Sequence, residues 1–226
     1  GYIIFQTTAK LGAGRQPAGR FLIKRALRIY PAYWIWTSTL LLMWLAGLAL
    51  KSHHYSPAFI AGSYLLVPVA REDGSVHPLL DQGWTLSFEM YFYLVMSVIL
   101  ALGWRQRNPA WLLAPFLLLG LAGLLPVVPA SVRSVISSPM VIEFMLGMAL
   151  GWLFAKFSPA QPYTSTLKTG LLIGSVTLWV VAGLHGEVRG TGMDRLLIYG
   201  LPSAMLVAFA LLVRPPVLGG PLVWLG

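Results

Sequence analysis

Apolar stretches close to the length that crosses a bilayer recur along most of this chain, at residues 31–50, 84–102, 110–128, 139–157, 167–185 and 196–213. The hydrocarbon core takes a helix of about 20 residues, so each stretch is a candidate span. None of them alternates apolar and polar residues as an outer-membrane strand would. Inside lipid the backbone finds no water, and each segment must pair its own N–H and C=O groups, which a helix does within itself. The sequence therefore predicts an all-α fold, a polytopic transmembrane helical bundle of about six full spanning helices. Gly1–Phe5 and residues 221–226 resemble the stubs of two more helices, each too short to span.

Composition excludes a soluble domain, because only 10% of the residues are charged and 57% are hydrophobic, against about 25% charged residues in soluble domains. A net charge of +9 taken alone would suit nucleic acid. In a membrane chain the placement of Lys and Arg matters more, since it sets orientation. With residues 10–28 inside, eleven of the sixteen Lys and Arg fall on the cytoplasmic side. Lys51, Arg71, Arg133, Arg189 and Arg195 are left outside, together with Glu72, Asp73, Asp81, Glu187 and Asp194. This predicts a multi-pass protein of the inner (plasma) membrane whose partner is the lipid bilayer and not nucleic acid. The absence of cysteine excludes disulfides, thiolate metal sites and a cysteine nucleophile. Residue 1 is glycine and no signal peptide follows, so the chain is expected to begin inside a longer protein. Residues 51–83 hold an apolar patch, 59–69, too short to cross, and are read as a re-entrant or interfacial element on the outer face.

Three constellations could carry chemistry. In the basic segment before the first span, Arg25 and Arg28 are three residues apart and share a face if helical; their guanidinium forks suit phosphate oxygens. The plainer alternative is a positive-inside flank anchored at the interface by Tyr30, Tyr33 and Trp34. In the run from Asp81 to Tyr93, Glu89 enters an apolar helix, where an unpaired charge would cost several kcal/mol. It should face a cavity or a partner, as a general acid or base or as the support of a histidine, unless it merely reaches back to the outer interface. In the run from Ser138 to Gly151, Glu143 sits at a similar depth, and Gly147 and Gly151 have the small-xxx-small spacing that lets helices approach closely. Two glutamates at one depth suggest a shared polar site. His53, His54, His77 and His185 show no metal-ligand spacing and are read as loop histidines.

The order Arg25-x-x-Arg28-Ile29-x-Pro31-x-Tyr33-Trp34, then Gly83-Trp84-Thr85-Leu86-x-x-Glu89-x-x-x-Tyr93, then Pro139-x-x-x-Glu143-Phe144-x-x-Gly147, resembles the membrane acyltransferase-3 superfamily, in particular its exopolysaccharide-production branch. The resemblance runs from about residue 20 to residue 151. It implies a single transmembrane acyltransferase domain over residues 1–226, lacking the family's first helix and its last ones. It further implies transfer of an acyl group, commonly acetyl, from cytoplasmic acyl-CoA to a sugar hydroxyl of a cell-envelope polysaccharide or exopolysaccharide. Under it, Arg25 and Arg28 bind the donor, Glu89 and Glu143 are the catalytic candidates, and Trp84 and Tyr93 contact substrate. The donor and the carboxylates are expected at opposite ends of one path, with acyl-CoA and a carbohydrate as partners and no metal. Members carry a histidine thought to be catalytic in the helix upstream of the basic segment. The chain as given lacks it and is expected to be inactive alone. The alternative is a proton-coupled transporter or flippase of an envelope glycan or lipid intermediate, with intramembrane carboxylates as the coupling groups; a non-catalytic scaffold is a second rival.

Overall fold

The structure, a computed structural model, describes residues 1–50, 54–71, 74–104, 110–157, 165–184 and 193–213. Most of the described residues are helical, with no strand among them. In chain order the helices are α1 (Tyr2–Ala9), α2 (Arg15–Leu45), α3 (Pro57–Leu65), α4 (Trp84–Ala101), α5 (Ala110–Ala122), α6 (Ala130–Ile136), α7 (Pro139–Phe157), α8 (Ser165–Leu184) and α9 (Leu201–Leu212). A 3-10 turn, Asp81–Gly83, leads into α4; a turn at Met193–Arg195 and a π turn at Leu196–Gly200 lead into α9.

The six predicted spans resolve differently. Three described segments are long and apolar enough to cross a membrane, Asp81–Ala101, Ala130–Phe157 and Ser165–Leu184, and Trp111–Ala122 and Leu196–Leu212 are shorter apolar helices. The predicted span 110–128 stops early because Pro126 has no N–H to extend the helix and disfavours helical geometry before it. The predicted span 31–50 and the basic segment before it form one 31-residue helix, α2, which continues through Pro31. The apolar half of α2 is diluted by Tyr33, Trp34, Trp36 and the Thr37-Ser38-Thr39 run, so α2 does not reach the hydropathy of the other three.

Backbone contacts divide the chain into two compact units, one of residues Gln6–Val141 and one of Gly1–Phe5 with Ile142–Gly226. In the first, α2 and α4 run antiparallel. The Gly14 N–H donates to the Leu100 carbonyl at 3.0 Å and the Ser97 hydroxyl to the Ala18 carbonyl at 3.3 Å. At the other end, a side chain on Gly83 would meet the Tyr33 ring at 2.7 Å, so only glycine lets α4 start there. Between these ends Phe21, Phe92, Tyr93, Met96 and Ile99 are buried. Helix α3 lies along α2, where residues 51–83 were expected to form an interfacial element. Tyr33, Trp34 and Tyr30 donate to the carbonyls of Ser63, Tyr64 and Leu65 at 2.7, 3.0 and 3.0 Å. Those carbonyls end α3, where intrahelical donors run out; the Ser63 carbonyl also accepts from the Leu66 N–H at 3.2 Å. The aromatic side chains read as interface anchors thus hold a neighbouring helix.

In the second unit α8 and α9 pack closely. The buried Ser175 hydroxyl donates to the Pro202 carbonyl at 2.9 Å. Gly147 and Gly151 of α7 meet the first residues of the chain: added carbons there would lie 2.9 Å from the Tyr2 nitrogen and 2.7 Å from the Phe5 ring. The close approach predicted from their spacing is present, and its partner is the start of α1.

Candidate functional site

In the first unit the polar chemistry is built on facing stretches of α2 and α4. Phe21 and Arg25 are four residues apart on α2, and Glu89 and Tyr93 four apart on α4, so each pair shares a helix face. The Phe21 and Tyr93 rings meet edge to face at 6.0 Å. The half-buried Arg25 guanidinium lies 5.6 Å from the Phe21 ring centre and 5.4 Å from that of Tyr93, within cation–π range of both. Its Nη2 donates to the Thr7 hydroxyl at 3.1 Å. The Tyr93 hydroxyl in turn donates to Glu89 Oε2 at 3.2 Å. One tyrosine, its ring buried, therefore bridges a guanidinium to an exposed carboxylate.

This geometry revises the predicted layout. Arg25 was expected in a cytoplasmic loop and Glu89 near the outer end of its helix. Instead Arg25 belongs to a helix and lies beside Tyr93, nine residues into α4 and about 13 Å along its axis from Trp84. Within this unit the two groups are one side chain apart. The antiparallel pairing of α2 with α4 is the physical reason: the stretch that faces the α4 span begins at Gly14 and ends at Tyr33, not at residues 31–50.

Arg25 and Arg28 also line a cavity of about 490 Å³ together with Lys10, Arg20 and Lys24, and none of its lining residues is acidic. Arg20, Lys24 and Arg28 recur every four residues, a stripe that a helix turns to one side. Sequence reasoning singled out two of these five cations; the four-residue repeat was the signal for two others. Trp84 lies elsewhere, stacked on His77 at 6.2 Å and edge-on to Phe88. His77, read as a loop histidine, has its Nδ1 3.0 Å from Asp81 Oδ1, and Arg71 lies 3.6 Å from the same oxygen. Of the two residues expected to contact substrate, Tyr93 joins Arg25 and Glu89, and Trp84 does not.

Glu143 belongs to the second unit and has its own partner. Its Oε1 lies 3.2 Å from Arg195 Nε. Both facing atoms are buried, and the contact is an ion pair. The side chains retain 22% and 25% exposure. The Arg195 guanidinium also lies 5.6 Å from the Tyr199 ring centre. A side chain at position 200 would come within 2.8 Å of Glu143 Cγ, so Gly200 is what lets the π turn close on the carboxylate. Glu89 and Glu143 thus have different partners, each within its own unit. Arg195 was read only as an outer-loop charge; nothing in the spacing tied it to a residue 52 positions earlier. Among the described residues no three His, Asp or Glu side chains gather as a metal site.

Long apolar helices with a cluster of cations and carboxylates among them define the class: a helical protein of membrane type. The family profile of an acyltransferase domain, Acyl_transf_3, matches residues 1–226, and the chain belongs to that family. It is 33% identical over 193 residues to the exopolysaccharide production protein ExoZ of Rhizobium meliloti strain 1021. The match takes in 81% of this chain and spans 58% of that relative's length. No solved structure matches the chain.

Proposed function

We propose that the chain is the core of an acyltransferase of exopolysaccharide type that moves an acetyl group from acetyl-CoA to a sugar hydroxyl at the inner membrane. The observation that carries this reading is the Arg25–Tyr93–Glu89 bridge at the rim of a five-cation cavity. Coenzyme A carries several phosphate charges, and guanidinium forks bind phosphate oxygens in pairs. Lys10, Arg20, Lys24 and Arg28 hold the nucleotide end, and Arg25 stands where the cavity meets Tyr93.

The reaction needs the acceptor oxygen to attack the thioester carbonyl. A C–O bond forms, the C–S bond breaks, and the hydroxyl proton passes through a base to the departing thiolate. Glu89 is the carboxylate that supports this proton transfer, assisting the histidine that the family resemblance assigns to an upstream helix. The Tyr93 hydrogen bond fixes its orientation. The acyltransferase family and the relative's name support acyl transfer and exopolysaccharide; acetyl-CoA and the assignment of residues are our reading of the geometry.

The test is transfer from labelled acetyl-CoA in membranes that contain the full-length parent. Loss of transfer in both Arg25→Ala and Glu89→Gln, with normal insertion, is the expected result. Full activity in Glu89→Gln removes that carboxylate from the mechanism. Glycan flux without acyl transfer in the intact parent would instead establish the transporter reading.

A further inference from the structure

The segment that leads into α4 carries a polar cluster that the mechanism above leaves unused, and all of it lies within the first unit. Asp81 Oδ1 sits 3.0 Å from His77 Nδ1 and 3.6 Å from Arg71 Nη2. The Arg71 side chain is only 14% exposed; its Nη2 donates to the Pro78 carbonyl at 2.6 Å, and its guanidinium lies 5.5 Å from the centre of the buried Phe59 ring. The segment is pinned again at Leu79, which is buried and donates its N–H to the buried Ser63 hydroxyl at 2.9 Å. His77 and Asp81, by contrast, are 48% and 59% exposed. The His77 ring is stacked on Trp84, its plane tilted by 18°. An exposed ion pair adds little to stability; what the buried anchors do here is hold a carboxylate and an imidazole in place at the surface.

The hydrogen-bonding character of this edge follows from its internal contacts. A carboxylate beside Nδ1 keeps the imidazole proton on that nitrogen, so Nε2 presents a lone pair. Asp81 Oδ1 faces both Arg71 and His77, and Oδ2 makes no contact of its own among the described residues. We propose that this edge binds a neutral sugar, two of whose hydroxyls donate to Asp81 Oδ2 and His77 Nε2 while its C–H groups lie against the part-exposed Trp84 ring, and that Asp81 and His77 are specificity-determining residues for the acyl acceptor. Proton donors are what the edge lacks. A carboxylate or phosphate brings none and would face the Asp81 carboxylate. A cation gains little, because Arg71 already balances Asp81. A hydroxyl brings the proton without the charge. Trp84 precedes Glu89 by five residues, about 7.5 Å along the axis of α4, so a chain of a few sugars held here reaches the level of that carboxylate. Calling the sugar the acceptor rests on the proposed acyl transfer; the binding itself does not.

The experiment uses the full-length parent in lipid nanodiscs with neutral glucose and galactose pentasaccharides, counterparts bearing one uronic acid, and counterparts bearing one glucosamine. Binding is read by saturation-transfer NMR and, separately, acetyl transfer by label incorporation. The expected result is preference for a neutral probe, weakened roughly tenfold in Asp81→Ala and in His77→Phe, as for loss of a hydrogen bond to a charged or fixed polar group. Acceptor KM should rise by the same factor with donor KM unchanged. His77→Phe keeps a ring against Trp84 and leaves the Arg71–Asp81 pair intact, so its effect separates recognition from the stability of the segment. A uronate or glucosamine probe that binds as well as the neutral ones, no binding of any neutral probe, or unchanged neutral binding in the folded His77→Phe protein would overturn the proposal. Binding as expected without transfer leaves the site standing and removes the acyltransferase reading. Normal transfer with unchanged binding and acceptor KM in both variants does the reverse.

Discussion

Glu89 and Glu143 each enter an apolar helix within two turns of its start, and the two units answer that charge in opposite ways. Glu89 takes a hydroxyl from its own helix, four residues on, and stays exposed. Glu143 takes a guanidinium from a distant segment and is three-quarters covered. Its hydroxyl partner leaves the Glu89 carboxylate open to a ligand, whereas the ion pair fixes Glu143 in place against Arg195. Under the proposed acyl transfer, Glu89 is the carboxylate placed to move a proton, and Glu143 is a fixed ion-pair partner.

The sharpest way to break this contrast is to remove one proton acceptor and keep its shape. Glu89→Gln keeps an oxygen for Tyr93, and transfer by the full-length parent should fall by about 10²–10⁴-fold, as for loss of a positioned acid–base group; Glu143→Gln should leave the chemical step largely intact. Equal losses in single-turnover rate would erase the distinction. Arg25→Ala comes next. Acetyl-CoA KM should rise more than tenfold, and Arg25→Lys should recover only part of it because an ammonium lacks the fork. A KM that Arg25→Lys restores fully would show that charge alone suffices. Tyr93→Phe keeps the ring beneath Arg25 and removes the bond to Glu89, so kcat should drop about tenfold while donor KM holds.

The smallest effects concern stability. Arg195→Met strands a partly covered carboxylate and should cost about 1–3 kcal/mol, scaled down from the 3–5 kcal/mol of a fully buried pair. The double variant Glu143→Gln with Arg195→Met should regain most of that, a coupling that thermal unfolding of the detergent-solubilised parent would measure. Additive losses would mean that the pair contributes nothing as a pair. Ser175→Ala should cost about 1 kcal/mol through its buried bond to Pro202.

What was legible in the sequence follows from how far each contact reaches along the chain. Glu89 with Tyr93, and Gly147 with Gly151, sit at helical spacing on one segment, so their shared faces could be read directly. The helical class followed from apolar run lengths. Two features escaped. Pro31 read as a boundary because it removes a helical hydrogen bond and crowds the turn before it; α2 passes through because Ala18, Phe21 and Tyr33 are held against α4 on both sides of it. That misplaced boundary moved Arg25 and Arg28 away from Glu89. Arg195 escaped because an ion pair across 52 residues leaves no periodic trace. Residues His53, Glu72, Asp73, His185, Glu187 and Arg189 lie outside the described residues.

The attachment of α3 to α2 has a mechanical consequence. Three side chains on barely more than one turn of α2 grip the last three carbonyls of α3, and Tyr33, which supplies one of these bonds, also abuts the first turn of α4. Swinging α3 away on its own would break all three bonds at about 1 kcal/mol each, so α3 is geared to α2. Because Arg25 rides on that same helix less than two turns away, any axial shift of α2 is carried to residues 57–65 as a stiff stroke.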